Sequence, residues 1–177
     1  MAVTTVEALD RMSGAAFVEA VAPWFEGAPR YLRRLAAERP YRTWDSFWGV
    51  ARTVAQAMPE ADQVELIDAH PRLGAPPGSV SAMSFVEQGY DRDAADAAAE
   101  EERRGVDAEL LRLNEAYEAK FGFRFCIFVA GRPRRVLIPI LEDAFDRPRD
   151  KELRRALIAV VDIAQDRWLK QLNGEGT

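Results

Sequence analysis

The 177-residue chain contains one histidine, His70, and one cysteine, Cys126. No intramolecular disulfide can form, and no site built on two histidines or a cysteine-rich zinc cluster can exist within one chain. Long hydrophobic runs are missing as well, since nothing approaches the ~20 consecutive apolar residues that span a bilayer. Positive charge is not in excess. The chain has 24 basic and 29 acidic side chains, a net charge of −5, so no strong field favours nucleic acid. Met1 to Asp10 has no basic segment followed by an apolar run, and Asn173 to Thr177 is not a peroxisomal address. A cytoplasmic protein is the expectation, and one free cysteine fits it.

What is present is the composition of a globular protein, 48% apolar and 30% charged. The length suits a single domain over 1–177, with a core over about 9–172 and short tails. The pattern is helical almost throughout. Ser13 caps a helix carrying Phe17, Val18 and Val21, and Pro29 opens another with Tyr31, Leu32 and Leu35. Thr43 caps a third, in which Trp44, Phe47, Trp48, Ala51, Val54 and Met58 recur at threes and fours as a buried stripe. A fourth follows Pro59 and must end near His70, because Pro71 disfavours helical geometry in the residue before it. Pro71 to Met83 reads as a loop, and Ser84 as the start of the next helix. Ala94 to Arg104 reads as helical, Gly105 as a break, Asp107 as the cap of a long helix, and Gly122 as its stop. Phe123 to Val129 is the one β-like run. A lone run cannot make a sheet, so it is a buried connector or a helix start. Two helices close the chain, Pro133 to Phe145 and Pro148 to Leu172. The expectation is an all-α single-domain bundle of about seven to nine helices with no sheet.

If imidazole chemistry occurs, His70 performs it. At a helix C-terminus, exposed carbonyls favour the imidazolium and should raise its pKa. The alternative is a surface histidine that merely complements the helix dipole. Ser84 followed three residues later by Glu87 fits a capping box, and equally a helix start whose donors face a cleft. In the second case Glu87 could meet His70 and keep it protonated as an acid. Phe121 to Phe125 reads first as core, with a backbone that must find hydrogen-bond partners outside any sheet. Arg132, Arg134 and Arg135 read as a solvated cluster. Arg167 lies among Ile163, Trp168 and Leu169, the setting of a half-buried arginine that pairs with an anion. Glu100, Glu101 and Glu102 read as a solvated helix face rather than a metal site.

Four ordered segments then carry a resemblance: Ala69-His70-Pro71-Arg72-Leu73-Gly74; Ser84 with Glu87-Gln88; Leu113-Asn114 and Tyr117 leading to Lys120-Phe121-Gly122-Phe123 and Phe125; and Ile163-Ala164 with Arg167. Together they resemble the 2-oxo-4-hydroxy-4-carboxy-5-ureidoimidazoline (OHCU) decarboxylases of urate breakdown, over nearly the whole length. The resemblance implies a helical, homodimeric, cofactor-independent carboxy-lyase that yields (S)-allantoin. It implies that His70 is the catalytic proton donor, Glu87 its polar partner, and Pro71 part of the site lining. Ser84, Phe85, Val86, Glu87 and Gln88 correspond to the substrate-binding segment. Phe125, Cys126, Ile127, Phe128 and Val129 correspond to a segment whose backbone contacts the substrate ring, and Arg167 to a contact for a substrate anion.

The sequence departs from the family pattern at Phe85 and Val86, at Gly89-Tyr90-Asp91, at Arg124 and in the order Phe-Cys-Ile-Phe-Val. These positions bear on the substrate. A related ureide lyase or hydrolase using the same His-Glu pair, and a non-catalytic helical dimer on the same scaffold, are the other readings.

Overall fold

The computed structural model describes residues 4–90 and 97–174. Among them are nine α-helices and three short 3-10 turns, and no strand. The helices are α1 (Val6–Arg11), α2 (Gly14–Val21), α3 (Pro29–Ala37), α4 (Trp44–Ala57), α5 (Glu60–Asp68), α6 (Ala82–Glu87), α7 (Ala97–Phe121), α8 (Ile138–Ala144) and α9 (Arg149–Leu172). No helix among the described residues is long and apolar enough to cross a membrane. The chain forms two compact units, one of Met1–His70 with Leu157–Thr177, the other of Pro71–Ala156.

Side-chain caps open α1, α2 and α4. Thr5, Ser13 and Thr43 each accept a hydrogen bond from the amide three residues on, at 3.1–3.2 Å. In the first unit α1–α5 and most of α9 enclose an aromatic core. All four tryptophans meet there: Trp44 lies 4.6 Å from Trp168, Trp48 lies 5.6 Å from Trp168, and Trp24 lies 6.1 Å from Trp48 (ring centroids). Phe47 packs edge-on against Trp48 at 4.8 Å. On α4 the buried residues are Phe47, Trp48, Ala51 and Ala55, with Met58 buried at its C-cap, while Trp44 and Val54 are half-buried. The stripe is thus turned slightly from the expected one.

In the second unit α7 carries the core. Tyr117 packs against Phe121, Phe123, Phe125 and Phe145 at 4.5–6.1 Å. The expected break at Gly105 does not occur, and Asp107 lies inside α7 rather than at a helix start. One interior glycine costs a helix only about 1 kcal/mol, which the buried face of a 25-residue helix outweighs. Gly122 does end α7, with φ +79°. The expected helical stretch from Ala94 begins outside the described residues. Residues 124–129 lie in neither helix nor strand, as a connector.

The start of α6 also differs. Its N-cap is Ser81, whose hydroxyl accepts from the Ser84 amide at 3.1 Å, so Ser84 lies inside the helix and Glu87 is its last residue. The Ser84–Glu87 capping box is therefore not formed. Two serines stand three apart, and the earlier one has the extended backbone (φ −63°, ψ 159°) that a cap requires. The preceding loop also contains a 3-10 turn, Pro77–Ser79.

Candidate active site

His70 follows directly on α5. Ala69 caps that helix, and the His70 amide still bonds to the Ile67 carbonyl at 3.1 Å. The side chain is 4% exposed. Nδ1 lies 3.3 Å from the Leu66 carbonyl, which can only accept, so this nitrogen carries the hydrogen. The helix-end position was expected to raise the pKa. Instead it is lowered from 6.5 to about 4, by burial and then by the charge of Arg167. Glu26 and the Leu66 carbonyl oppose the shift without reversing it. Desolvation of a cation exceeds the attraction of a few partial charges. His70 is consequently a neutral imidazole at pH 7, and Nε2 bears its lone pair.

Arg167 is 3% exposed. Its Nη1 donates to the carbonyls of Pro23 and Trp24 at 3.3 and 3.2 Å, and Nη2 lies 2.8 Å from Glu26 Oε1. The anion expected beside Arg167 is thus present within the chain. Glu26 sits in the left-handed region at φ 54°, just past the 3-10 turn Ala22–Phe25. No motif in the sequence singles it out.

The other expected site residues lie in the second unit. Pro71 opens a loop held by the side chains of Gln88, Tyr90, Asn114 and Glu118. Gln88 Oε1 accepts from the Gly74 amide at 2.7 Å, and its Nε2 donates to the Arg72 carbonyl at 3.3 Å. Asn114 donates to the Leu73 carbonyl at 2.8 Å. Arg72 and Glu118 pair through two 2.7 Å bonds. Gly74, at φ +75°, has Leu110 so close that an added Cβ would stand 3.0 Å from its Cδ1. On α6 Ser84 is buried, the Phe85 ring packs at a tilt against Tyr90 with centroids 5.4 Å apart, and Val86 is half exposed at 52%.

The connector carries Phe125, Cys126, Ile127, Phe128 and Val129. Its carbonyls are met by arginines. Arg155 donates to Cys126 O at 2.8 Å, and Arg132 donates to Val129 O and Phe128 O at 2.9 and 2.6 Å. The expectation of a solvated cluster at 132–135 is corrected here. Arg132 grips the connector, and Arg134, 7% exposed, lies over the Tyr90 ring at 4.2 Å. Arg135 alone is solvated, its side chain 63% exposed. A buried segment outside helix and sheet needs donors for its carbonyls, and these arginines supply them. Among the described residues, no three His, Cys, Asp or Glu side chains cluster as a metal site would require.

The sequence model of the OHCU decarboxylase family matches residues 10–169. The chain is 25% identical to a 2-oxo-4-hydroxy-4-carboxy-5-ureidoimidazoline decarboxylase of Haloferax volcanii, over 97% of this chain and 98% of that protein. It is 24% identical to a uric acid degradation bifunctional protein of Bacillus sp. (strain TB-90), over 95% of this chain but only 32% of that longer protein. A crystal structure of OHCU decarboxylase in the presence of (S)-allantoin superposes with a TM-score of 0.66, at 22% identity, over 88% of this chain and 98% of that one. A crystal structure of (S)-allantoin synthase gives 0.60 at 18% identity, over 95% and 54%. These two likenesses show the fold.

Proposed function

The chain belongs to the OHCU decarboxylase family, and on that premise we propose that it removes CO₂ from 2-oxo-4-hydroxy-4-carboxy-5-ureidoimidazoline to give (S)-allantoin in urate degradation. We further propose that it acts as one catalytic domain over residues 9–172 and works as a cytoplasmic homodimer. The observation that carries the reaction is the state of its single imidazole: buried, neutral, with its hydrogen on Nδ1 toward Leu66 and the basic lone pair therefore on Nε2.

The chemistry asks for such a group. Hydroxyl and carboxylate share C4 of the substrate. Loss of CO₂ leaves the bonding pair on C4, and the adjoining C5=N bond accepts it, so that the ring nitrogen takes a proton from solvent. The enol then becomes the C4 carbonyl of allantoin when the hydroxyl proton leaves and C5 gains one. Neutral His70 takes that hydroxyl proton at Nε2 and, as imidazolium, returns it to one face of C5, which sets the handedness. A positioned proton-transfer group of this kind contributes roughly 10²–10⁴-fold.

Glu87 is proposed as a second catalytic group and Ser84 as a substrate donor. Pro71, Phe85 and Val86 would line the site. The backbone of Phe125, Cys126, Ile127, Phe128 and Val129 would contact the ring, and Arg167 would face the substrate's negative charge. Gln88 would serve by holding the loop that follows His70, since its amide is engaged there. The packed ring pair Phe85–Tyr90, at positions where the family pattern differs, favours one second reading: the same proton transfer on a related ureide.

The test is circular dichroism of the product when urate is oxidised by uricase with and without this protein. Rapid appearance of optically active allantoin is expected. Racemic product at the spontaneous rate would reject the assignment, and faster turnover of another ureide would favour the second reading.

A further inference from the structure

Glu152 is entirely buried, at 0% exposure, on the part of α9 that belongs to the second unit. Its Oε1 accepts from the Tyr117 hydroxyl at 2.8 Å and faces Arg155 Nε and Nη2 at 2.8 and 2.6 Å. Its Oε2 lies 3.2 Å from Arg147 Nη1. Burial alone would push this carboxyl up, but the bonds from Arg155, Tyr117 and Arg147 hold it below the ordinary value, as a carboxylate. Arg155 has two further contacts. Nη1 donates to the Cys126 carbonyl at 2.8 Å, and the guanidinium lies 4.8 Å over the Phe125 ring. The other face of this device is Tyr117, whose ring meets Phe125 edge-on at 5.2 Å.

An ion pair whose carboxylate is fully buried and whose guanidinium is half-buried is a poor source of stability, because desolvation consumes much of the Coulomb gain. An apolar pair would fill the same volume at less cost. What the charged pair supplies is direction: one planar fork fixes a carbonyl and a ring of two successive residues in a segment that no sheet holds. The residue next in line is Ile127. Among the described residues, nothing donates to or accepts from its backbone.

We propose that Glu152 and Arg155 are positioning residues, which set the register of the Phe125–Val129 backbone so that its unengaged amide and carbonyl groups meet the substrate ring. This rests on the reading of that segment as a substrate contact. The lone cysteine provides a reporter independent of activity. Cys126 lies on the segment at 5% exposure, and no other thiol can react.

The full-length variants Arg155→Met, Arg155→Lys and the double variant Glu152→Gln/Arg155→Met are compared with wild type. The double variant leaves no uncompensated buried charge, so it remains interpretable if Arg155→Met alone fails to fold. Measured are kcat and KM on freshly generated OHCU, the rate of Cys126 modification by a thiol reagent, and the melting temperature. In the folded double variant KM rises about tenfold or more, the cost of roughly one misaligned hydrogen bond to the substrate ring. Cys126 modification accelerates by a similar factor, and Arg155→Lys recovers part of both, because an ammonium still reaches one carbonyl. A lowered melting temperature with wild-type KM and thiol rate would reduce the pair to a structural element and overturn the proposal. Wild-type protein that fails to accelerate decarboxylation sinks the function assignment and this role with it. Wild-type protein that turns over while the variants match it sinks the positioning role alone.

Discussion

Arg167 Nη2 and Glu26 Oε1 are 2.8 Å apart, with the arginine side chain 2% exposed and the glutamate 14%. Both charges act on His70 with opposite sign, Arg167 lowering its pKa and Glu26 raising it. The neutral state of the imidazole is therefore set by burial and by the balance within this pair.

Replacing Glu26 by glutamine leaves a buried guanidinium without its counter-charge. Glu26→Gln is expected to lower stability by about 3 kcal/mol in denaturant unfolding. It also removes an influence that raises the His70 pKa, so the imidazole should titrate below about 4. With one histidine in the chain, a single imidazole resonance followed by NMR reports this directly. An unmoved titration and an unmoved midpoint would together contradict the balance.

The pH dependence follows from the same shift. His70 titrates near 6.5 unfolded and near 4 folded, so the unfolded chain binds the extra proton between those values. Its contribution to stability is full above pH 6.5 and is lost as pH falls through the window to about 4, by up to about 3 kcal/mol. His70→Asn should flatten that part of the stability profile and abolish turnover while the fold persists. In the wild type, kcat/KM should stay level above pH 6 and fall on an acidic limb near 4, where the acceptor becomes protonated. An acidic limb near 7, or near-normal activity of the asparagine variant, would reject the neutral-base role.

The two serines of α6 separate by function. Ser81→Ala removes the cap and should cost about 1 kcal/mol of stability with little change in kcat. Ser84→Ala leaves the cap in place, and its effect is expected in KM instead. The reverse distribution would restore the capping role to Ser84.

Gly74→Ala places a methyl group 3.0 Å from Leu110 Cδ1 at a backbone φ of +75°. A loss of about 1–3 kcal/mol is expected from strain and crowding together. Thermal unfolding at fixed pH measures it, and a neutral effect would mean that the loop after His70 yields easily.

Much of the fold was legible because local rules governed it. Ser13 and Thr43 cap the helices they were expected to cap, Pro29 opens α3, and Gly122 ends α7. The missed boundaries arose where two local signals competed. Ser81 and Ser84 both suit a cap, and Gly105 suits a break only if packing does not override it. The site was legible as an ordered set of residues, not as chemistry. His70 was located correctly at a helix end, yet its charge state was inverted. No motif in the sequence singles out Glu152, although it is the most buried acid described.

The sequence by itself determined the helical class, the family, and the restriction of imidazole chemistry to one residue, because periodicity, caps and residue counts are properties of neighbours in the chain. Tertiary structure alone decided that His70 is neutral, that Arg167 already has a carboxylate, and that arginines hold the connector's carbonyls. Each of these depends on burial and on partners far apart in sequence, and both desolvation and Coulomb energy are functions of distance in space.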